Sequence, residues 1–166
     1  MAEEVLDELK QNNRAILIAK YFVMKKEKSS DKELDHKKLQ KLVYYAQAWN
    51  LVFNKKPLFG DEIQAWIHGP AIPNVWFQFK DFNFTIDHPA SLKEDFSDIA
   101  KEELAVLDSV WNVYGKYDGN YLEMLTHNEL PWQEARNNLS DSEPSKNIIS
   151  LELMKSYYEQ RFEAAK

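Results

Sequence analysis

His127 and Glu129 come closest, by type and spacing, to a catalytic pair in this chain. A histidine and a carboxylate within reach of each other can exchange protons with a substrate, and His-x-Glu is also the order used in zinc-assisted deamination. That second chemistry needs cysteine ligands. The chain has no cysteine, which also removes thiolate nucleophiles, disulfides and iron–sulfur clusters. A metal site built from His68, His127 and carboxylates would have to draw three ligands from distant segments. The expected role of His127 is structural, at a helix C-terminus, where the dipole favours a cation and terminal carbonyls accept hydrogen bonds. His68, standing before Gly69-Pro70, is expected to end a strand and hydrogen-bond the connector, with direct contact to a partner as the alternative.

Phosphate chemistry fares no better. Four glycines, at positions 60, 69, 115 and 119, can assemble neither a P-loop nor a dinucleotide fingerprint, and none flanks a serine as a hydrolase elbow requires. The formal charge of -6 opposes general attraction to nucleic acid, which needs clustered cations. Lys25, Lys26, Lys28, Lys32, Lys37, Lys38 and Lys41 do gather, but Glu27, Asp31, Glu33 and Asp35 are interleaved with them, and a solvated loop between two helices is the expectation. The acidic start, Met1-Ala2-Glu3-Glu4, and the lack of any apolar run near the roughly 18 residues that span a bilayer imply a cytoplasmic, membrane-free protein. No cofactor, metal or catalytic residue is therefore expected.

The elements that position these residues read as one helical domain. A length of 166 residues, 44% hydrophobic and 13% aromatic, supplies a single core. Apolar residues at helical intervals predict helices over Arg14–Met24 and about Asp35–Phe53, the latter central, with Lys37, Gln40 and Gln47 as its polar strip. Residues ahead of Arg14 read as an amphipathic lead-in or frayed end. Ile63, Ala65 and Ile67 alternate with Gln64, Trp66 and His68 as in a half-buried strand, which could pair with Pro57-Leu58-Phe59 through a Gly60-Asp61 turn. His68 to Pro73 then forms a rigid connector into a helix carrying Val75, Trp76 and Phe79 on one side.

Residues 81–98 read as a long connection, the stretch expected to move most, with a short extended piece at Phe84-Thr85-Ile86. A helix through Ile99, Leu104, Leu107, Val110, Trp111 and Tyr114 ends near Gly115. Asp118 caps a short helix with Tyr121, Leu122 and Leu125 inward, Pro131 opens another with Trp132 and Ala135, and a polar stretch leads to a last helix capped by Ser150. Leu151, Met154, Tyr158 and Phe162 form its stripe. The fold class is mainly α (α+β): a single helical domain over 1–166, its core about 15–162, with a small β-hairpin. Of the five tryptophans (Trp49, Trp66, Trp76, Trp111, Trp132), Trp66 and Trp76 are the better candidates for a recognition surface.

Leu39-Gln40-Lys41-Leu42-Val43-Tyr44-Tyr45-Ala46-Gln47-Ala48-Trp49, then Pro57-Leu58-Phe59, Glu62-Ile63-Gln64-Ala65-Trp66 and Gly69-Pro70-Ala71-Ile72-Pro73, resemble the Panacea domain, also described as SocA-like and as the phage-associated GepA family. Thr126-His127-Asn128-Glu129-Leu130-Pro131-Trp132, with Ala135 and Arg136, extends the resemblance, which runs from about Ala15 to Phe162. It implies an α-rich domain with a small β element, and an antitoxin that neutralises a separately encoded toxin by direct contact. Related members are similar but act as adaptors that deliver the toxin to a bacterial protease, and a prophage-encoded regulatory binding protein is a further alternative. The residues before Ala15 are expected to be too few, and the chain too acidic, for the DNA-binding segment that many such antitoxins carry. The motif positions expected to hold the fold or touch a partner are Leu39, Lys41, Leu42, Tyr45, Trp49, Trp66, His68, Gly69, Pro70, Pro73, His127, Pro131 and Trp132. The partner surface is expected near residues 57–90.

Overall fold

Asp35 starts the central helix. Its extended backbone and a carboxylate accepting from Lys38 N at 2.8 Å cap α3, His36–Asn54, and Lys55 in the left-handed region, followed by Pro57, stops it. In the computed structural model, which describes residues 1–29, 32–85 and 94–166, α3 is packed on nearly every side. It meets α2 (Arg14–Glu27), α5 (Lys101–Tyr114), α6 (Gly119–His127) and α8 (Leu151–Ala164), as well as the hairpin. One apolar cluster runs from Ala15 through Leu39, Leu42, Tyr45 and Trp111 to Tyr158. The architecture is mainly α with a small two-stranded hairpin.

The helices follow the apolar spacing closely, and side-chain caps set several starts: Asp118 accepts from Tyr121 N at 2.8 Å, and Ser150 from Leu153 N at 3.2 Å. Pro73 and Pro131 sit in the first turns of α4 (Pro73–Phe79) and α7 (Leu130–Arg136), where a missing N–H costs nothing. The residues read as a lead-in form a separate helix, α1 (Ala2–Asn12), whose Val5 and Leu6 face solvent.

Several expectations need correction. The strand β1 (Gln64–Trp66) pairs antiparallel with β2 (Gly69–Ala71), in register Gln64 with Ala71 and Trp66 with Gly69. Its partner is the segment read as a connector, while Pro57-Leu58-Phe59 is held by α3. Gln40 and Gln47 are not a polar strip but buried, as are Lys38, Lys41 and Asn50. Gln47 accepts from Leu58 N at 2.6 Å and donates to the Phe59 carbonyl at 2.8 Å, supplying what a partner strand would have supplied.

Nor is the lysine cluster a solvated loop throughout. Lys38 Nζ reaches the Glu33 and Gly115 carbonyls at 2.6 and 2.5 Å, and burial lowers its pKa although Asp35 opposes this. Ser30 and Asp31 lie outside the described residues, as does Ile86 of the expected extended piece; Phe84-Thr85 is a turn, with the Phe84 ring buried against Phe79. Phe53, Tyr121 and Leu151, expected inward, are exposed, Phe53 in the last turn of α3 and Tyr121 and Leu151 in the first turns of α6 and α8. No helix among the described residues is long and apolar enough to cross a membrane.

Candidate functional site

Gly69 decides how closely the hairpin can approach α3. Its φ of 102° is one that L side chains rarely adopt, and a Cβ there would stand 2.4 Å from Lys41 Cε and 2.9 Å from Thr126 Oγ1. With no side chain in the way, Lys41 Nζ donates to the Pro70 carbonyl at 3.1 Å. The preceding residue of α3, Gln40, brackets Ile72, accepting from its N–H at 2.8 Å and donating to its carbonyl at 3.3 Å. Lys41 is 2% exposed. Burial lowers its pKa to about 7, against the opposing charge of Glu123.

The opposite side of the hairpin is held by α7. Trp132 Nε1 donates to the Trp66 carbonyl at 2.8 Å, and Arg136 donates to the Ala65 carbonyl at 3.1 Å while its guanidinium lies over the Trp132 ring. Arg136 also binds the carbonyls of Ser140, at 2.8 Å, and Glu143. The polar stretch after α7 is thereby tethered.

His127 stacks on Trp132 with ring centroids 3.9 Å apart and planes 11° from parallel. Burial lowers its pKa, Glu123 opposing. Its Nε2 is buried without a hydrogen bond, and the 4.0 Å to Glu123 Oε1 is too long for one. His127 ends α6, as expected, and there it packs on tryptophan in surroundings that disfavour its charged form. His68 departs from expectation. Its exposed ring bonds Glu123 Oε1 at 2.9 Å and not the connector, and Glu123 Oε2 receives Lys37 at 2.6 Å. Burial alone would raise the Glu123 pKa, but Lys37 and His68 together lower it.

Glu129 does not form a pair with His127. It turns into the core, where Oε1 accepts from Tyr45 at 2.7 Å and Tyr158 at 2.9 Å, and Tyr158 shares a further 2.9 Å bond with Tyr44. Burial raises the Glu129 pKa even against these two hydroxyls. Tyr114 stacks on Tyr45 at 4.0 Å and accepts from Trp49 Nε1 at 2.9 Å. The sequence reading set Glu129 beside His127 and Tyr158 in an apolar stripe, and it gave no role to Tyr44 or Glu123. An acid directly before Leu-Pro-Trp and a Tyr-Tyr pair inside an apolar helix were the available signals.

The thirteen motif positions thus divide. Leu39, Leu42 and Tyr45 are core, Trp49 is half-buried two turns along α3 from Lys41, and Pro73 and Pro131 start helices. Lys41 and Trp132 hold the hairpin backbone from opposite sides, Gly69 and Pro70 belong to its second strand, His127 stacks on Trp132, and Trp66 and His68 stand on the hairpin's outer side. There Trp66 meets Trp76 edge-to-face at 6.4 Å and Trp76 meets Phe77 at 5.3 Å, with Lys80 Nζ within 6 Å of both outer rings. Trp76 is 39% and Phe77 64% exposed.

This arrangement can bind through its rings and rim charges, whereas Lys41 and Arg136 hold backbone carbonyls, Glu129 holds tyrosine hydroxyls, and Glu123 holds the side chains of Lys37 and His68. Among the described residues no group of three or more His, Cys, Asp or Glu side chains is disposed to hold a metal ion. The family described as antitoxin SocA-like, Panacea domain, matches residues 39–133. No curated protein and no solved structure matches the chain.

Proposed function

The chain belongs to the antitoxin SocA-like Panacea domain family, and from that premise we propose that it is a cytoplasmic antitoxin that neutralises a cognate protein toxin by binding it directly. It acts as one domain, without cofactor, metal, catalytic residue, nucleic acid or membrane. The observation that carries this reading is the division of labour around the hairpin: buried polar motif residues serve as struts, and what they support is an aromatic face of half-buried Trp66 and exposed Trp76 and Phe77, rimmed by His68 and Lys80. Exposed tryptophan on a rigid base is the composition of an interface anchor, because little rotamer entropy is lost when it is covered.

Occupancy of the toxin is preferred over its delivery to a bacterial protease. The segments that would serve as flexible docking arms are instead engaged: Lys38 and Lys41 are buried, and Arg136 ties down the chain at Ser140 and Glu143. Co-expression with the product of the neighbouring gene is the test. Restored growth with a co-purifying complex is expected, and loss of both would sink the proposal. A toxin half-life that shortens only when this protein and the host protease are both present would favour the adaptor role.

A further inference from the structure

The hairpin is one strand wider than its two named strands. Residues 147–149 run antiparallel along the free side of β1, with Ala65 N donating to Asn147 O at 2.8 Å and Ile149 N to Ile63 O at 2.8 Å, so that Ile148 stands opposite Gln64. In this pattern the peptide groups of the facing residues point away from each other. Those of Gln64 turn to Ala71 in β2, and those of Ile148 turn outward. Among the described residues neither the N–H nor the C=O of Ile148 has a hydrogen-bond partner. The far side of β2, in contrast, is occupied by Gln40 and Lys41 of α3.

Side-chain alternation makes this edge two-faced. Ile149 is buried, whereas Ile148 is 55% exposed on the face it shares with Gln64 and Trp66, whose side chains bond each other at 2.8 Å. Beside it lies a hollow of about 480 Å³ lined by Trp66, Ile67, His68, Pro144, Ser145 and Lys146. Pro144 and Lys146 are residues that keep strand edges from open-ended pairing. The available edge is therefore short, and it is flanked by an open hollow with room for an apolar side chain.

We infer that this edge receives an extended segment of a partner protein, which adds a strand beside residues 146–148 and bonds the N–H and C=O of Ile148. An apolar side chain of the segment enters the hollow under Trp66, and an acidic one meets Lys146, which has no ion pair among the described residues. Only an extended chain offers a donor and an acceptor at the spacing of a strand edge, since a helix has spent its own. The inference rests on the reading of the protein as one that binds a partner protein, and it names how that partner is held.

The test uses the full chain and a phage-displayed library of random peptides about twelve residues long, ample for one added strand. Selected peptides are expected to alternate apolar residues and carry an acid, and to slow amide exchange at Ile148. They should bind I148P about tenfold more weakly, because proline removes the outward N–H and leaves both β1 bonds in place. Should I148P melt early, the Ile148 exchange in the unaltered chain decides. Failure to select any binder, or binders that leave Ile148 exchange unchanged or hold I148P equally well, would overturn the inference. That result leaves the antitoxin reading standing through Trp76 and Phe77, whereas a failed rescue by co-expression leaves the peptide result intact.

Discussion

Lys41 Nζ and the Pro70 carbonyl oxygen lie 3.1 Å apart inside the core, joining the N-terminal half of α3 to the hairpin through a group that burial leaves with a pKa of about 7. An unfolded lysine keeps its ordinary value of 10.5. Between these values the unfolded chain holds more protons than the folded one, so this group makes stability rise with pH from about 7 upward and contributes no slope below 7. Urea unfolding at pH 7 and pH 9 should differ by about 2 kcal/mol in favour of pH 9. The difference should shrink to near zero in K41M, which keeps the stem and drops the amine. Equal slopes in the two proteins would show that Lys41 titrates normally.

Gly69→Ala should be among the most damaging single substitutions. The positive φ and the 2.4 Å approach to Lys41 Cε act together, and a loss of about 3 kcal/mol is expected by chemical denaturation. Trimming Lys41 to alanine in the same chain relieves the contact but not the backbone strain, so the double variant should show less than additive loss.

Glu129 separates charge from hydrogen bonding. Because burial raises its folded pKa above the ordinary carboxylate value, its contribution is greatest at acidic pH and falls as pH rises through and beyond that value. Glu129→Gln keeps an acceptor for Tyr45 and Tyr158 and should melt at or above the parent at pH 7. Glu129→Ala, which leaves two buried hydroxyls without their acceptor, should lose about 2–4 kcal/mol. A Gln variant as damaged as the Ala variant would mean that the charge itself is needed.

His127→Phe preserves the stack on Trp132 and removes the unpaired Nε2. Stability within about 1 kcal/mol of the parent is expected, with full protection of cells in the co-expression assay. A folded variant that no longer protects would return His127 to the list of chemically active residues.

Trp76→Ala and Phe77→Ala probe the exposed face. Since both rings are substantially solvent-facing, melting temperature should change little. Affinity for the co-purified partner should fall at least about tenfold for one of them, as for an interface anchor. Unchanged affinity in both would move the interface off this face.

The helices were legible because an apolar stripe at helical spacing is a local property, and so were the starts at Asp118, Pro131 and Ser150, where the cap is made within the same turn. The family resemblance was legible too, and with it most of the residues that brace the hairpin. Gln47, set between alanines in a helix apolar on two faces, carried a readable hint of burial that the polar-strip reading passed over.

The sequence by itself therefore determined a helical fold with a small hairpin, through residue types and spacing, and, through its motifs, membership of a family of antitoxin-like domains. The tertiary structure decided which strand pairs with β1, why Gln40 and Lys41 are inside, that Glu129 serves tyrosines and not His127, and that Ile148 is left with open peptide groups. The physical reason is one of range. Apolar period and capping act over a few residues, whereas a buried polar group is satisfied by a carbonyl, amide or hydroxyl many residues away, and its address is set only when the whole chain has packed.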